Sequence, residues 1–132
     1  MKSTIRTVFA LLLLAFTGSA TLAAANSISY SEAAFADAQA AGKTIIVDVY
    51  ADWCPTCRAQ KPILNELKAE PELKDSLFVT VDYDQEKAFL REHRVPRQST
   101  ILVFKGGNEV ARSIAETDRD RLRSAILSAA GS

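Results

Sequence analysis

The stretch TIIVDVYADWCPTCR, Thr44 to Arg58, ties both cysteines of this 132-residue chain to one junction. TIIVDVYA, Thr44 to Ala51, is β-branched and almost continuously apolar, the pattern of a strand buried on both faces in the middle of an α/β sheet. From Cys54 to about Lys68 the pattern turns helical, with Ile63, Leu64 and Leu67 on one face. Cys54 and Cys57 therefore stand where a buried strand gives way to a helix start. Pro55 suits that start, because its missing N–H costs nothing in the first turn and its fixed φ matches helix entry. Pro62, inside the helix, interrupts its hydrogen bonding.

A pair two residues apart has three readings. A structural disulfide closing so small a loop removes little entropy from the unfolded chain. A closed zinc site needs four soft ligands, and the chain offers two cysteines and the lone His93, far away in sequence. The third reading is a dithiol that opens and closes. A thiol in the first helical turn faces unpaired N–H groups and the positive end of the macrodipole, which favour its thiolate. Cys57 lies three residues on, on the same face. Cys54 is thus placed to attack an outside disulfide and Cys57 to resolve the mixed disulfide that results.

VDVYADWCPTCRAQKPILNEL resembles the active-site region of the thioredoxin family, and the resemblance extends over nearly all of the chain after Asn26. It rests on Asp48 six residues before the first cysteine, Trp53 beside it, the C-x-x-C itself, and Pro62 eight residues after the first cysteine. DVYADWC looks especially like periplasmic members, including the carboxy-terminal domain of the interchange reductase DsbD. The resemblance implies a thioredoxin-like α/β fold, a central mixed β-sheet flanked by helices on both faces, and thiol:disulfide oxidoreductase activity of the protein-disulfide reductase type. It also implies a role for Asp48. A lone acid in an apolar strand is costly to bury, so its pKa should rise, and a carboxyl poised near neutrality can take the proton that Cys57 must lose. Trp53, Pro55 and Thr56 are expected at the substrate surface.

Two departures from the family pattern bear on the groove. Where members carry a cis-proline followed by Thr, this chain has Ser99 and Thr100, and Pro96 lies three residues too early. The peptide before Ser99 is expected to be trans, since cis before a non-proline costs about 2.5–4 kcal/mol. Near the end, Ala115 stands where members commonly have a glycine, which should narrow close backbone approach. Ser99 and Thr100 are still expected to border the substrate.

The rest of the chain reads as one domain. Ser31 caps a helix over EAAFADAQAA that Gly42 stops. LFVTVD, Leu77 to Asp82, is a strand, and Gln85 to Glu92 a short helix. STILVF, KGGN and EVARSI form a hairpin. Thr117 is expected to cap a last helix, Asp118 to Leu127. His93 reads as a surface or cap residue, and RDRLR, Arg119 to Arg123, as an exposed face of alternating charge.

At the N-terminus Lys2 and Arg6, the apolar run Val8 to Phe16 and Ala23-Ala24-Ala25 have the layout of a secretory signal peptide, giving residues 1–25 as leader and 26–132 as domain. The run is about half the roughly 20 residues a spanning helix needs. Export to the periplasm is the expected localisation, a compartment where disulfides persist. With 16 basic and 16 acidic residues and no basic block, the chain gives no reason to expect nucleic acid. No cofactor and no metal are expected. The partners expected are disulfide-containing exported proteins, apocytochrome c among the candidates, and a membrane thiol electron donor of the interchange-reductase type, with the domain a monomer. Electron flow in the opposite direction, or a groove that only binds peptide or metal, remains compatible with the motif.

Overall fold

The computed structural model describes residues 24–132. The expected leader, apart from Ala24 and Ala25, lies outside them. Ala25 is the first buried residue among those described, and its N–H donates to the Lys68 carbonyl at 2.8 Å.

The elements run β1 (Asn26–Ser29), α1 (Glu32–Ala40), β2 (Thr44–Tyr50), α2 (Pro55–Leu67), a 3-10 turn (Pro71–Leu73), β3 (Leu77–Asp82), α3 (Lys87–Glu92), β4 (Thr100–Lys105), β5 (Asn108–Ile114) and α4 (Arg119–Gly131). They form one five-stranded sheet in the order β1-β3-β2-β4-β5. β1 and β2 run parallel to β3, while β4 runs antiparallel to β2 and β5 to β4. This is the mixed sheet with helices on both faces that the alternating elements predict.

β2 lies centrally because it can be buried on both sides. Ile45, Val47 and Val49 pack with Phe35 and Ala38 of α1 and with Phe89 and Leu90 of α3. Ile46 packs on the other face with Ile63, Leu64 and Leu67 of α2 and with Leu122 and Ile126 of α4. Burial of each such aliphatic side chain stabilises the fold by roughly 1.5–3 kcal/mol. The strand's C-terminal end thereby becomes a fixed platform for the loop that carries Cys54.

Three differences from the sequence reading have physical reasons. β1 was not expected: NSIS holds one apolar residue, Ile28, and its strand character comes only from edge pairing with β3. Thr117 does not cap α4; Asp118 does, its carboxylate accepting the Arg121 N–H at 2.9 Å, and the helix continues to Gly131. His93 caps the C-terminus of α3, one of the two places expected for it. Its ring is half-buried against Phe35, Phe89 and Phe104, and burial lowers its pKa. The charges of RDRLR are also less free than alternation suggests, since Arg119 pairs with Glu66 and Arg123 with Glu70 across to α2 and the turn after it.

Candidate active site

The site lies where β2 ends. Tyr50 closes the strand, Ala51 to Trp53 make a short turn, and Cys54 is the N-cap of α2 with Pro55 in the first helical position. The Cys57 N–H, one of the orphan donors of that helix end, points at Cys54 Sγ at 3.1 Å. Both cysteines are free thiols in this state, and both are buried, at 0% and 2% exposure.

Ser99 joins them. Its Oγ lies 3.1 Å from Cys54 Sγ and 3.0 Å from Cys57 Sγ. One hydroxyl has one proton, so the contacts are best satisfied as a chain in which Cys57 S–H donates to Ser99 Oγ and the Ser99 hydroxyl donates to a Cys54 thiolate. The two sulfurs shift in opposite directions. Burial pushes Cys54 up, but hydrogen bonds from Cys57, Ser99, the Cys57 N–H and Gln98 outweigh it and bring the thiol below its ordinary value. Burial pushes Cys57 up, and its interaction with Cys54 raises it further, against the smaller downward pull of Ser99 and the Ala51 backbone. Within one helical turn the first sulfur favours the thiolate and the second holds its proton.

Ser99 occupies the cis-proline position of the family pattern. No peptide bond among the described residues is cis, so the bond before Ser99 is trans, as expected. Its backbone is instead left-handed, with φ 60°, a conformation that costs an L-residue of order 1–2 kcal/mol unless its surroundings hold it. They do. The Ser99 N–H donates to the Val49 carbonyl at 2.8 Å, and its own carbonyl accepts from the Ala115 N–H at 2.9 Å and from Gln60 Nε2 at 3.2 Å. Ala115 is left-handed too, at φ 55°, so alanine keeps the backbone shape that glycine would adopt freely.

Gln60 is the residue sequence reasoning missed. It is fully buried in α2, and its Nε2 donates to the carbonyls of both Ser99 and Glu116, the latter at 2.9 Å. Its Oε1 has no partner among the described residues. The signal was present: Gln60 stands at i to the i+3, i+4 and i+7 of Ile63, Leu64 and Leu67, a polar residue in the apolar stripe.

Asp48 lies on the β2 face toward α2, bordering a cavity of about 120 Å³ with Tyr50, Lys61, Leu64, Asn65, Lys68 and Thr80. Its Oδ1 is buried without a partner among the described residues. Burial raises its pKa to about 6, against the opposing pull of Lys68 and Lys61. The carbonyl of the next residue in β2, Val49 O, lies 3.9 Å from Cys57 Sγ. A polar cavity of this size has room for water beside the Asp48 carboxyl.

The remaining residues expected at the surface divide. Trp53 is 55% exposed, its Nε1 donating to Asp84 Oδ2 at 2.8 Å and its ring edge-on to Tyr83. Pro55 is exposed and Thr56 half-buried. Thr100 is buried and its hydroxyl is taken by the Arg97 carbonyl at 2.7 Å, while the Ser99 hydroxyl faces the sulfurs. Tyr50 and Tyr83 pack around the dithiol.

A helix-capping thiol shifted toward its thiolate, with a partner thiol in the same turn, defines a thiol:disulfide oxidoreductase on a mixed α/β sheet. The chain belongs to the thioredoxin family, whose model, described as Thioredoxin, matches residues 26–128. It is 35% identical over 92 residues to a thioredoxin of Chlamydia trachomatis, covering 70% of this chain and 87% of that protein. It is 31% identical over 94 residues to thioredoxin H4 of Arabidopsis thaliana, covering 71% and 77%. Among solved structures it is similar to Trxlp from Edwardsiella tarda EIB202, with 44% identity, a TM-score of 0.73 and coverage of 75% of this chain and 96% of that one. Thioredoxin NaTrxh from Nicotiana alata shares 29% identity at a TM-score of 0.68, covering 84% and 97%.

Proposed function

We propose that this protein is an exported disulfide reductase of the periplasm, cycling between the Cys54–Cys57 dithiol and its disulfide. The observation that carries the chemistry is the single Ser99 hydroxyl lying within 3.1 Å of both sulfurs, on one of which the thiolate is favoured while the other keeps its proton.

The Cys54 thiolate attacks a substrate disulfide, forming a mixed disulfide and releasing one substrate sulfur as thiolate, which takes a proton from solvent. Cys57 then gives up its proton to Asp48 and attacks Cys54 Sγ. The Cys54–Cys57 disulfide forms, the second substrate sulfur leaves, and two electrons have passed to the substrate. Asp48, at about 6, is poised to accept that proton near neutrality. Cys54 is fully covered in this state, with Ser99 against its sulfur, so an incoming disulfide must first open that cover.

Export is supported by the basic start, the apolar run and the alanine stretch of the first 25 residues, and by the likeness of DVYADWC to periplasmic members such as the carboxy-terminal domain of DsbD. A reductase in that compartment needs its electrons returned, and a membrane thiol carrier is the chemical class that supplies them. Its substrates are oxidised cysteines of exported proteins, apocytochrome c being one candidate, and it acts as a monomer.

A Cys57→Ser variant, which stops after the first attack, tests the reading. Expressed at native level, it should accumulate mixed disulfides with exported proteins and with a membrane thiol carrier. Recovery of cytoplasmic partners alone would contradict export, and a Cys54→Ser protein that keeps its cellular function would make the groove a binding module instead.

A further inference from the structure

The groove along α3 differs in charge from its surroundings. A cavity of about 390 Å³ is lined by Tyr83, Lys87, Leu90, Arg91, Arg94 and Val95. Lys87, Arg91 and Arg94, at i, i+4 and i+7, stand on one face of α3 and of the turn that ends it. None of the three is in an ion pair among the described residues.

The acids close in sequence are engaged elsewhere. Asp84 accepts from Trp53, and the Asp82 carboxylate accepts from the N–H groups of Asp84 and Gln85 and from the Gln85 side chain. Glu109 is bound by Arg112. Glu86 and Glu92 lie near enough to Tyr30 for their charges to raise its hydroxyl pKa, behind burial and Glu32. No carboxylate is among the residues that line the groove, so its wall presents three cationic side chains.

Its position relates it to the dithiol. Tyr83 forms one wall of the groove and also packs against the cluster of Ala51, Cys54 and Cys57, so the two sites are one tyrosine ring apart. Lys87 is held there, its Nζ donating to the Tyr83 carbonyl at 2.6 Å and lying 4.5 Å from the ring centroid. The opposite wall, Arg94–Val95, opens the segment that reaches Gln98 and Ser99. Arg94 is itself anchored, its carbonyl accepting from Arg112 Nη1 at 2.9 Å.

We propose that this groove is a specificity subsite for an acidic segment of the protein whose disulfide is exchanged, with Lys87, Arg91 and Arg94 receiving carboxylates a few residues from the reacting cysteine. The proposal rests on the enzyme reading of Cys54 and Cys57 and says which substrates that enzyme prefers. Clustered charge beside a reactive centre acts mainly on the rate of encounter, by tenfold or more at low ionic strength, and salt screens it.

The test uses three disulfide-bonded peptides identical except for flanking Asp-Asp, Ser-Ser or Lys-Lys, each accepting two electrons and two protons from the reduced protein. At low salt the acidic peptide should react on the order of tenfold faster than the neutral one, with the advantage gone at about 0.5 M salt. The exposed pair Lys87→Glu with Arg91→Glu should reverse the order while leaving the neutral peptide's rate within about twofold of its starting value, and Arg91→Gln alone should lose part of the preference. The neutral rate reports that the variants fold. Equal rates for all three peptides in the unaltered protein, or the same ranking in the charge-reversed one, would overturn the subsite. A protein that reduces none of the three would remove the enzyme reading itself, and the subsite with it.

Discussion

The dithiol has two walls, and they are built by different means. The helix wall, Cys54 to Leu67, is specified locally: a capping sulfur, a proline at the first helical position and an apolar stripe at helical spacing each belong to the residues that form it. The loop wall, Gln98–Ser99 and Ala115–Glu116, is specified from a distance. Its two left-handed residues are neither proline nor glycine, and they keep their shape because Val49, Gln60 and each other's backbone groups hold them. At Ala115 the left-handed shape that suits glycine is kept by hydrogen bonds, whereas at Ser99 a trans, left-handed backbone replaces the cis-proline of the family pattern. One departure from the motif therefore preserves the backbone shape and the other changes it.

The largest expected effect lies beneath the helix wall. Asp48 has an ordinary carboxyl value of 3.8 and about 6 in the fold, because burial disfavours its charge. The folded pKa is raised, so the group's contribution is fully favourable below about pH 4, declines as pH rises, and becomes a penalty of about 3 kcal/mol above pH 6. Asp48→Asn should accordingly stabilise the protein by about 2–3 kcal/mol at pH 8 and by nothing measurable at pH 3.5, read by urea unfolding at the two pH values. The same variant should slow release of the second substrate sulfur near neutrality, observed in single turnover.

Gln60→Leu breaks the link between the walls. It leaves the Glu116 carbonyl without its donor and removes one of two donors from Ser99, while also deleting an oxygen that had no partner. A loss of about 1–2 kcal/mol in denaturant unfolding is expected. No loss at all would mean that the loop wall holds its shape unaided.

Ser99→Ala tests what the loop wall gives the chemistry. Without the hydroxyl the Cys54 thiolate loses a charge-assisted hydrogen bond, so its titration by thiolate absorbance should move upward. The dithiol should become less stable relative to the disulfide, lowering the reduction potential by about 30 mV for about 1.4 kcal/mol. An unchanged thiolate pKa would leave Ser99 with a packing role only. Smallest is Ala115→Gly, which frees a position at φ 55° and should stabilise by about 0.5–1 kcal/mol in thermal unfolding with little change in activity.

The same contrast explains what the sequence made legible. β2, β3, the β4–β5 hairpin and α1 follow from apolar period, Ser31 and the positive-φ Gly42, all local signals. Cys54, Cys57 and the raised pKa of Asp48 follow from residue type and position in those elements. β1 did not, because a four-residue edge strand with one apolar side chain is defined by its neighbour. Asp118 and Thr117 are both competent caps, and only the course of the chain after Glu116 decides between them. The reach of Gln60 across 39 residues to Ser99, and the aim of the Ser99 hydroxyl at both sulfurs, depend on tertiary contacts that no spacing records.

The central claim is that Cys54 and Cys57 form a reducing dithiol, and its most direct test is their equilibrium reduction potential in a thiol redox buffer. The account predicts a value below about −200 mV, in the range spanned by glutaredoxins and thioredoxin. A value near −120 mV, the level of a strong oxidant, would contradict it and reverse the direction of electron flow.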